Sequence, residues 1–525
     1  MRKGYIVALP PGAGKTRIVL HKIKTLANNN WGRAINNMLV LGPNAKLKRI
    51  WLREIALAVA DKRIFHEKDI RGKSERQLVK FMKDKYKISL KFKTYQNIKK
   101  CRNLKVSSFL VLDEWHRFNV FDHCKSFIEG RESPHILTKL SKGPYGNHTF
   151  FVSATPMNPV LEQEAENTVV EPKDDDKMIT ESRQKALYAI MGLLGNDGNE
   201  DICNKPFAEA VRKLGVKWII KDSGWQKPKI RKNDDISNRK SILSVELKYL
   251  KTASDYERNG INDWKSKEAS WAIGLVCNDF NRNSKSFELI KKKNRKNKKS
   301  FGFKYVDPFI ATNCGNIKDS GKWLLEKHTR VRRLIERLIE DKIIEKNTDG
   351  KYTLNKKKKC LIFCIHQGVA RGLQYALSQV IDNPKNENIA CAVHEFDENT
   401  ENNFNDSKKP PYILIATDKM SESIDLHGAC NTIIHYELPW SPLRLLQRVG
   451  RLTRKHRRGN FNETYVYHVI IPGSVEEERI NRLIRRTSLL ADEGAWPKEL
   501  GKSWKNIAHL LIGHGPSFHL KEETI

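Results

Sequence analysis

The feature that most constrains this chain is a series of short, unbroken apolar runs. YIVAL (5–9), MLVLGP (38–43), FLVLDE (109–114) and TFFVSAT (149–155) come first. CLIFC (360–364), YILIAT (412–417), TIIHYEL (432–438) and YVYHVII (465–471) come later. Apolar residues at successive rather than alternate positions mark strands buried on both faces, as in a parallel sheet covered by helices. Helical patterns lie between them, for example at 46–60 and 366–380. This alternation predicts α/β domains in two clusters, and 525 residues exceed one ordinary domain.

The expected division is a first α/β lobe at 1–170, a mostly helical, basic insertion at 171–317, a second α/β lobe at 318–487 and a tail at 488–525. Within it, EPKDDDK (171–177) reads as a solvated loop, 241–258 as helical and the basic run KKKNRKNKK (291–299) as an exposed loop that could contact phosphates. Residues 322–341 predict a helix with Leu324, Leu325, Val331, Ile335, Leu338 and Ile339 on its core face.

Lys and Arg total 96 against 61 Asp and Glu, a formal charge of +35. So large an excess points to a polyanionic partner, most plausibly nucleic acid, or else to a Lys- and Asn-rich composition alone. The nine cysteines show no CxxC pair and no zinc-ligand spacing, which predicts a reducing compartment inside a cell, cytoplasmic or associated with a nucleoid or virus. No apolar run approaches the roughly 20 residues of a membrane span, so no membrane partner is expected.

Three motifs carry chemistry. In YIVALPPGAGKTRIVL (5–20) a strand turns through Pro11, Gly12, Ala13 and Gly14 into a helix opening on Lys15, Thr16 and Arg17. The amides of such a turn can surround phosphate oxygens, Lys15 would reach the outer phosphates and Thr16 would hold Mg²⁺. The strict pattern has Gly where this chain has Leu9. Next, FLVLDEWHRF ends a strand in Asp113 and Glu114, with His116 close by. Asp113 suits the metal, and Glu114 suits orienting or deprotonating an attacking water. Last, LLQRVGRLTRKHRRG (445–459) spaces Gln447, Arg448, Arg451 and Arg454 along a helix. Arg451 and Arg454 are candidate fingers for a γ-phosphate, and Arg457 and Arg458 could touch nucleic acid.

Taken in order, the glycine–lysine–threonine loop, Asp-Glu-Trp-His, SATP (153–156) and QRVGRLTR (447–454) resemble the superfamily-two helicases of DExH type. LVLGPNAKLKRIWLREI (39–55), KTYQNI (93–98), KKCLIFCIHQGVARGL (358–373) and the block 413–448 look like that superfamily's lesser motifs. The last block, with SGKWLLEK (320–327), looks closest to the Swi/Snf-type branch, including bacterial RNA-polymerase-recycling and anti-phage defence ATPases. The resemblance implies two RecA-like lobes, with ATP and Mg²⁺ as cofactors. It implies that Ser153, Thr155 and Asp425 couple the nucleotide site to the nucleic-acid path. It also implies that Pro43, Asn44, Thr94, Tyr95, His366 and Thr417 face a sugar-phosphate backbone, and that Gln447, Arg451 and Arg454 complete the site.

This chain departs from the pattern in three places. An adenine-reading segment is expected upstream of the phosphate loop, where only 1–9 precede it, so the chain is expected to be truncated or completed by a partner subunit. Ser423 stands where many relatives have Gly, and Trp115 where small residues are common. Three readings follow: a translocase on duplex DNA that remodels or clears bound complexes, a strand-separating DNA or RNA helicase, and a non-catalytic nucleic-acid-binding subunit with a relict phosphate loop.

Overall fold

A computed structural model describes residues 2–9, 14–60, 73–98, 108–115, 147–153, 175–194, 200–219, 329–348, 352–365, 387–393, 398–418, 428–439, 441–452, 464–470 and 475–495, with shorter stretches between. The chain divides into two compact units. The first holds 1–160, 174–225 and 488–504; the second holds 161–173, 226–487 and 505–525. Segments assigned from sequence to the insertion and the tail thus contribute to the first unit.

The first unit is built on a six-stranded sheet in the order β3-β2-β4-β5-β1-β6. Its strands are β1 (Lys3–Ala8), β2 (Met38–Gly42), β3 (Lys91–Thr94), β4 (Phe109–Asp113), β5 (His148–Ser153) and β6 (Lys217–Trp218). Every pairing is parallel. The apolar runs made this so: β2 and β4 are buried at every position, which only a sheet covered on both faces allows. Helices α1 (Lys15–Leu26), α2 (Trp31–Asn36), α3 (Lys46–Val59), α4 (Glu75–Tyr86) and α5 (Tyr95–Ile98) alternate with these strands, followed by α6 (Asp175–Leu194), α7 (Glu200–Cys203) and α8 (Phe207–Lys213). Val19, Leu20 and Ile23 of α1 and Trp51, Leu52 and Ile55 of α3 pack with Val7, Val40 and Val111 in one core. Trp115, the departure from pattern, is buried with its ring edge-on to Phe151.

The second unit carries a seven-stranded sheet. Antiparallel β9 (Ile344–Lys346) and β10 (Tyr352–Leu354) stand apart from it. The sheet runs β12-β13-β11-β14-β15-β7, with β8 also on β15. These strands are β7 (Lys229–Ile230), β8 (Asp234–Asp235), β11 (Cys360–Cys364), β12 (Ile389–Ala392), β13 (Ile413–Thr417), β14 (Thr432–His435) and β15 (Tyr465–Ile470). Its pairings too are all parallel. Among the described residues the helices are α9 (Thr329–Glu340), α10 (Glu398–Phe404) and α11 (Pro442–Val449); α12 (Val475–Asp492) runs from the second unit's sequence into the first's.

In α9 the register differs from expectation. Val331, Leu334, Ile335 and Leu338 are buried, while Ile339 is 36% exposed. The spacing of three, four and seven residues defines one stripe, and Ile339 falls beside it. Leu324 and Leu325, the 241–258 segment and the 291–299 run lie outside the described residues.

Candidate active site

In a parallel sheet the carboxyl ends of the strands share one edge, and ligands bind there. In the first unit that edge gathers Leu9 after β1, Pro43 and Asn44 after β2, Thr94 and Tyr95 at the end of β3, Asp113 and Glu114 at the end of β4, and Ser153 at the end of β5. Strand order places β4 and β1 on either side of β5. The motif residues, separated by about a hundred positions in the chain, therefore converge by topology.

Pro11, Gly12 and Ala13 lie outside the described residues. Gly14 is the N-cap of α1 with φ 85°, a left-handed backbone that costs an L residue roughly 1–2 kcal/mol and glycine almost nothing. No side chain caps this end and no acidic residue sits in its first turn. The amino end of α1 thus keeps the partial positive charge that suits a phosphate. Lys15 donates through Nζ to the Leu9 carbonyl at 3.2 Å, folding back across the turn. Thr16 occupies the first helical turn beside it. Arg17, expected among the phosphate contacts, bonds through Nε to Glu54 of α3 at 2.6 Å.

Asp113 is 6% exposed. Its Oδ2 accepts from Trp51 Nε1 at 2.8 Å, its Oδ1 from the Glu114 amide at 3.1 Å, and its backbone carbonyl from the Tyr95 hydroxyl at 2.7 Å. Burial first and the neighbouring Glu114 second push its carboxyl up to about 7, while Trp51 and Lys15 act in the opposite sense. A buried carboxylate crowded by a second one favours a cation. The adjoining Glu114, whose amide donates to Asp113, itself has φ 50°, a strained left-handed value for a residue with a side chain.

The residues expected to face a nucleic-acid backbone divide. Asn44 and Thr94 are half-buried, and each accepts from an amide at the start of the following helix: Asn44 Oδ1 from Leu47 N at 3.3 Å and Thr94 Oγ1 from Asn97 N at 3.2 Å. Pro43 is half-buried beside Asn44. Tyr95 does not face outward: it is buried with its hydroxyl on Asp113, because an aromatic ring entering the core needs a partner for its polar end. Thr417 is likewise buried, its hydroxyl 3.5 Å from the Val393 carbonyl. His116, Thr155, His366, Asp425, Arg454, Arg457 and Arg458 lie outside the described residues. Ser153 is buried, and its carbonyl accepts from Leu9 N at 3.3 Å.

In the second unit, Gln447 and Arg451 are both buried, and Arg451 Nε donates to the Gln447 carbonyl at 3.2 Å. The residue that organises this end is Arg448, which the sequence places among the polar groups of this helix without giving it a role. Arg448 donates through Nε to Asp418 Oδ1 at 2.5 Å and through NH1 to the Glu437 carbonyl at 2.7 Å. Trp51, by contrast, was not singled out from the sequence. The signal for it was a tryptophan on a core-facing helix, whose indole N–H must find an acceptor when buried.

Among the described residues no group of three or more His, Cys, Asp or Glu could cage a metal by itself. The hard oxygens of Thr16, Asp113 and Glu114 fit Mg²⁺, which is usually held by one or two carboxylates together with substrate phosphates.

Comparison with known proteins agrees with this geometry. Residues 1–156 match the family described as "Type III restriction enzyme, res subunit", and residues 340–456 match "Helicase conserved C-terminal domain". In carrying these two matches the chain is similar to superfamily-two helicases, and its two parallel-sheet units are consistent with two RecA-like lobes. A relative in Bacillus subtilis (strain 168), "Uncharacterized ATP-dependent helicase YqhH", is 39% identical over 77 residues. The match covers 15% of this chain and 13% of that protein. Among the described residues no helix is long and apolar enough to cross a membrane.

Proposed function

We propose that this chain is an ATP-dependent nucleic-acid translocase that hydrolyses ATP while moving on duplex DNA and remodels or clears complexes bound to it. The observation that carries the nucleotide chemistry is the convergence of Lys15, Asp113 and Glu114 on one sheet edge, with Asp113 buried and its carboxyl raised. Thr16 and Asp113 would hold Mg²⁺, which neutralises phosphate charge when bound. Lys15 and the turn of Gly12, Ala13 and Gly14 would hold the phosphates. Glu114 would orient the water and take its proton, and Arg451 and Arg454 would stabilise the charge developing on the transferred phosphoryl group. The Swi/Snf-like block 413–448 and the charge of +35 support duplex DNA as the track.

A strand-separating DNA or RNA helicase is the second reading, and the match to the helicase C-terminal domain fits it as well as it fits a translocase. ATP hydrolysis measured with duplex DNA, single-stranded DNA and RNA separates the two, with Lys15→Ala as control. Stimulation by duplex supports the translocase, and stimulation by single strands alone supports the helicase. No hydrolysis under any condition, with nucleic acid still bound, supports the non-catalytic subunit.

A further inference from the structure

The Asp113 carboxylate is oriented from outside its own loop. Trp51 lies on α3, sixty-two positions earlier in the chain, and is wholly buried. Its indole has a single N–H, which donates and cannot accept. That N–H ends on Asp113 Oδ2, while Oδ1 takes the Glu114 amide. The carboxylate plane is therefore held at both oxygens, each keeping a free lone-pair direction. Burial alone would be served equally well by phenylalanine. The indole N–H adds a directed bond to a charged acceptor, roughly twice as strong as a neutral one. The same helix carries Glu54, bonded to Arg17 in α1, so α3 braces both the phosphate-loop helix and the metal carboxylate.

We propose that Trp51 is a positioning residue for hydrolysis, whose N–H orients the Asp113 carboxylate for the divalent cation. This rests on the ATPase reading, in which Asp113 serves Mg²⁺. Trp51 touches neither nucleotide nor metal; it acts through Asp113.

The test uses the full chain with Trp51→Phe, which keeps an aromatic ring and removes the N–H. Binding of a fluorescent ATP analogue is titrated in EDTA and in rising MgCl₂, and turnover is followed against Mg²⁺. Affinity in EDTA should stay within about twofold of wild type. The Mg²⁺ concentration giving half-maximal binding enhancement and turnover should rise about tenfold, the loss typical of one hydrogen bond to a charged group. Mn²⁺, which binds such oxygen sites more tightly, should restore part of kcat. A packing role would lower the melting temperature or kcat and leave the Mg²⁺ midpoint at the wild-type value; that result overturns the assignment. Should Trp51→Phe fail to fold, Trp51→Met is read by the same midpoint. A wild-type chain without Mg²⁺-dependent binding or turnover overturns the ATPase reading itself. A normal wild type with an unshifted variant overturns the Trp51 role alone.

Discussion

Arg448 Nε lies 2.5 Å from Asp418 Oδ1, and the arginine has no exposed surface. Its NH1 reaches the Glu437 carbonyl at 2.7 Å, and its guanidinium lies over the Phe363 ring at 5.1 Å. One side chain of α11 thus ties together the loops that follow β13 and β14. Burial pushes the Asp418 carboxyl up, but Arg448 and Arg444 outweigh it and hold it below the usual carboxylate range.

Removing that arginine leaves a buried carboxylate without its main partner. Arg448→Ala should therefore lower stability by about 3–5 kcal/mol. Arg448→Lys keeps the charge but lacks the fork that reaches both acceptors, and should fall between. Denaturant unfolding of the full chain checks both. An unchanged midpoint for the alanine variant would show the pair to be dispensable.

Glu114 combines a strained backbone with a position next to Asp113, the proposed metal carboxylate. Glu114→Gln keeps its shape and removes the proposed base. Turnover should drop by roughly a hundredfold to ten-thousandfold, while ATP affinity changes little. Steady-state kinetics beside equilibrium nucleotide binding separates the two effects. Equal losses in both would assign Glu114 to binding.

His435 and His468 face each other across paired strands, both fully buried, with their Nδ1 atoms 2.9 Å apart. Burial first, then His468 and Arg448, hold the His435 ring well below the usual imidazole range, so it is neutral at pH 7. The unfolded chain takes up that proton near pH 6.5 and the folded chain does not, so stability falls as pH drops below that value. The slope from this group is about 1.4 kcal/mol per pH unit at most. His435→Phe should flatten part of it, as read by unfolding midpoints at pH 7 and pH 5. An identical slope would mean that other groups carry the acid sensitivity.

Lys359 is buried just before β11, with Nζ donating to the Asn403 and Lys409 carbonyls at 2.8 and 2.6 Å. Desolvation lowers its amine to about 8. Between that value and its ordinary range above 10 the unfolded chain binds the proton and the folded chain does not. Stability therefore rises with pH across that window. Lys359→Met should lose this rise and, having left two carbonyls without their donor, melt lower than wild type at every pH by about 1–3 kcal/mol. Melts at pH 7.5 and 9.5 compare the two chains. A parallel pH response in both would refute the shift.

Much of the fold was legible because it depends on local composition. All eight apolar runs became strands, and 46–60 became α3. β3 was not legible, since KFKT at the sheet edge is polar and only partly buried. β12, reading IACA, is too short and too small-sided to stand out. In the candidate site, Lys15, Asp113 and Glu114 stood out in the sequence because each lies at or after the end of a strand in a local pattern. The motif around Tyr95 points it at nucleic acid, yet its hydroxyl is taken by Asp113.

The order of the motifs and the two α/β clusters are properties of the chain, because burial on both faces writes itself into successive residues. Which atoms meet was decided only by the packed sheets. Trp51 with Asp113, Arg448 with Asp418 and His435 with His468 are pairings set by strand order, register and helix placement. A directed hydrogen bond needs its partner within about 3 Å, a precision that residue spacing along the chain does not carry.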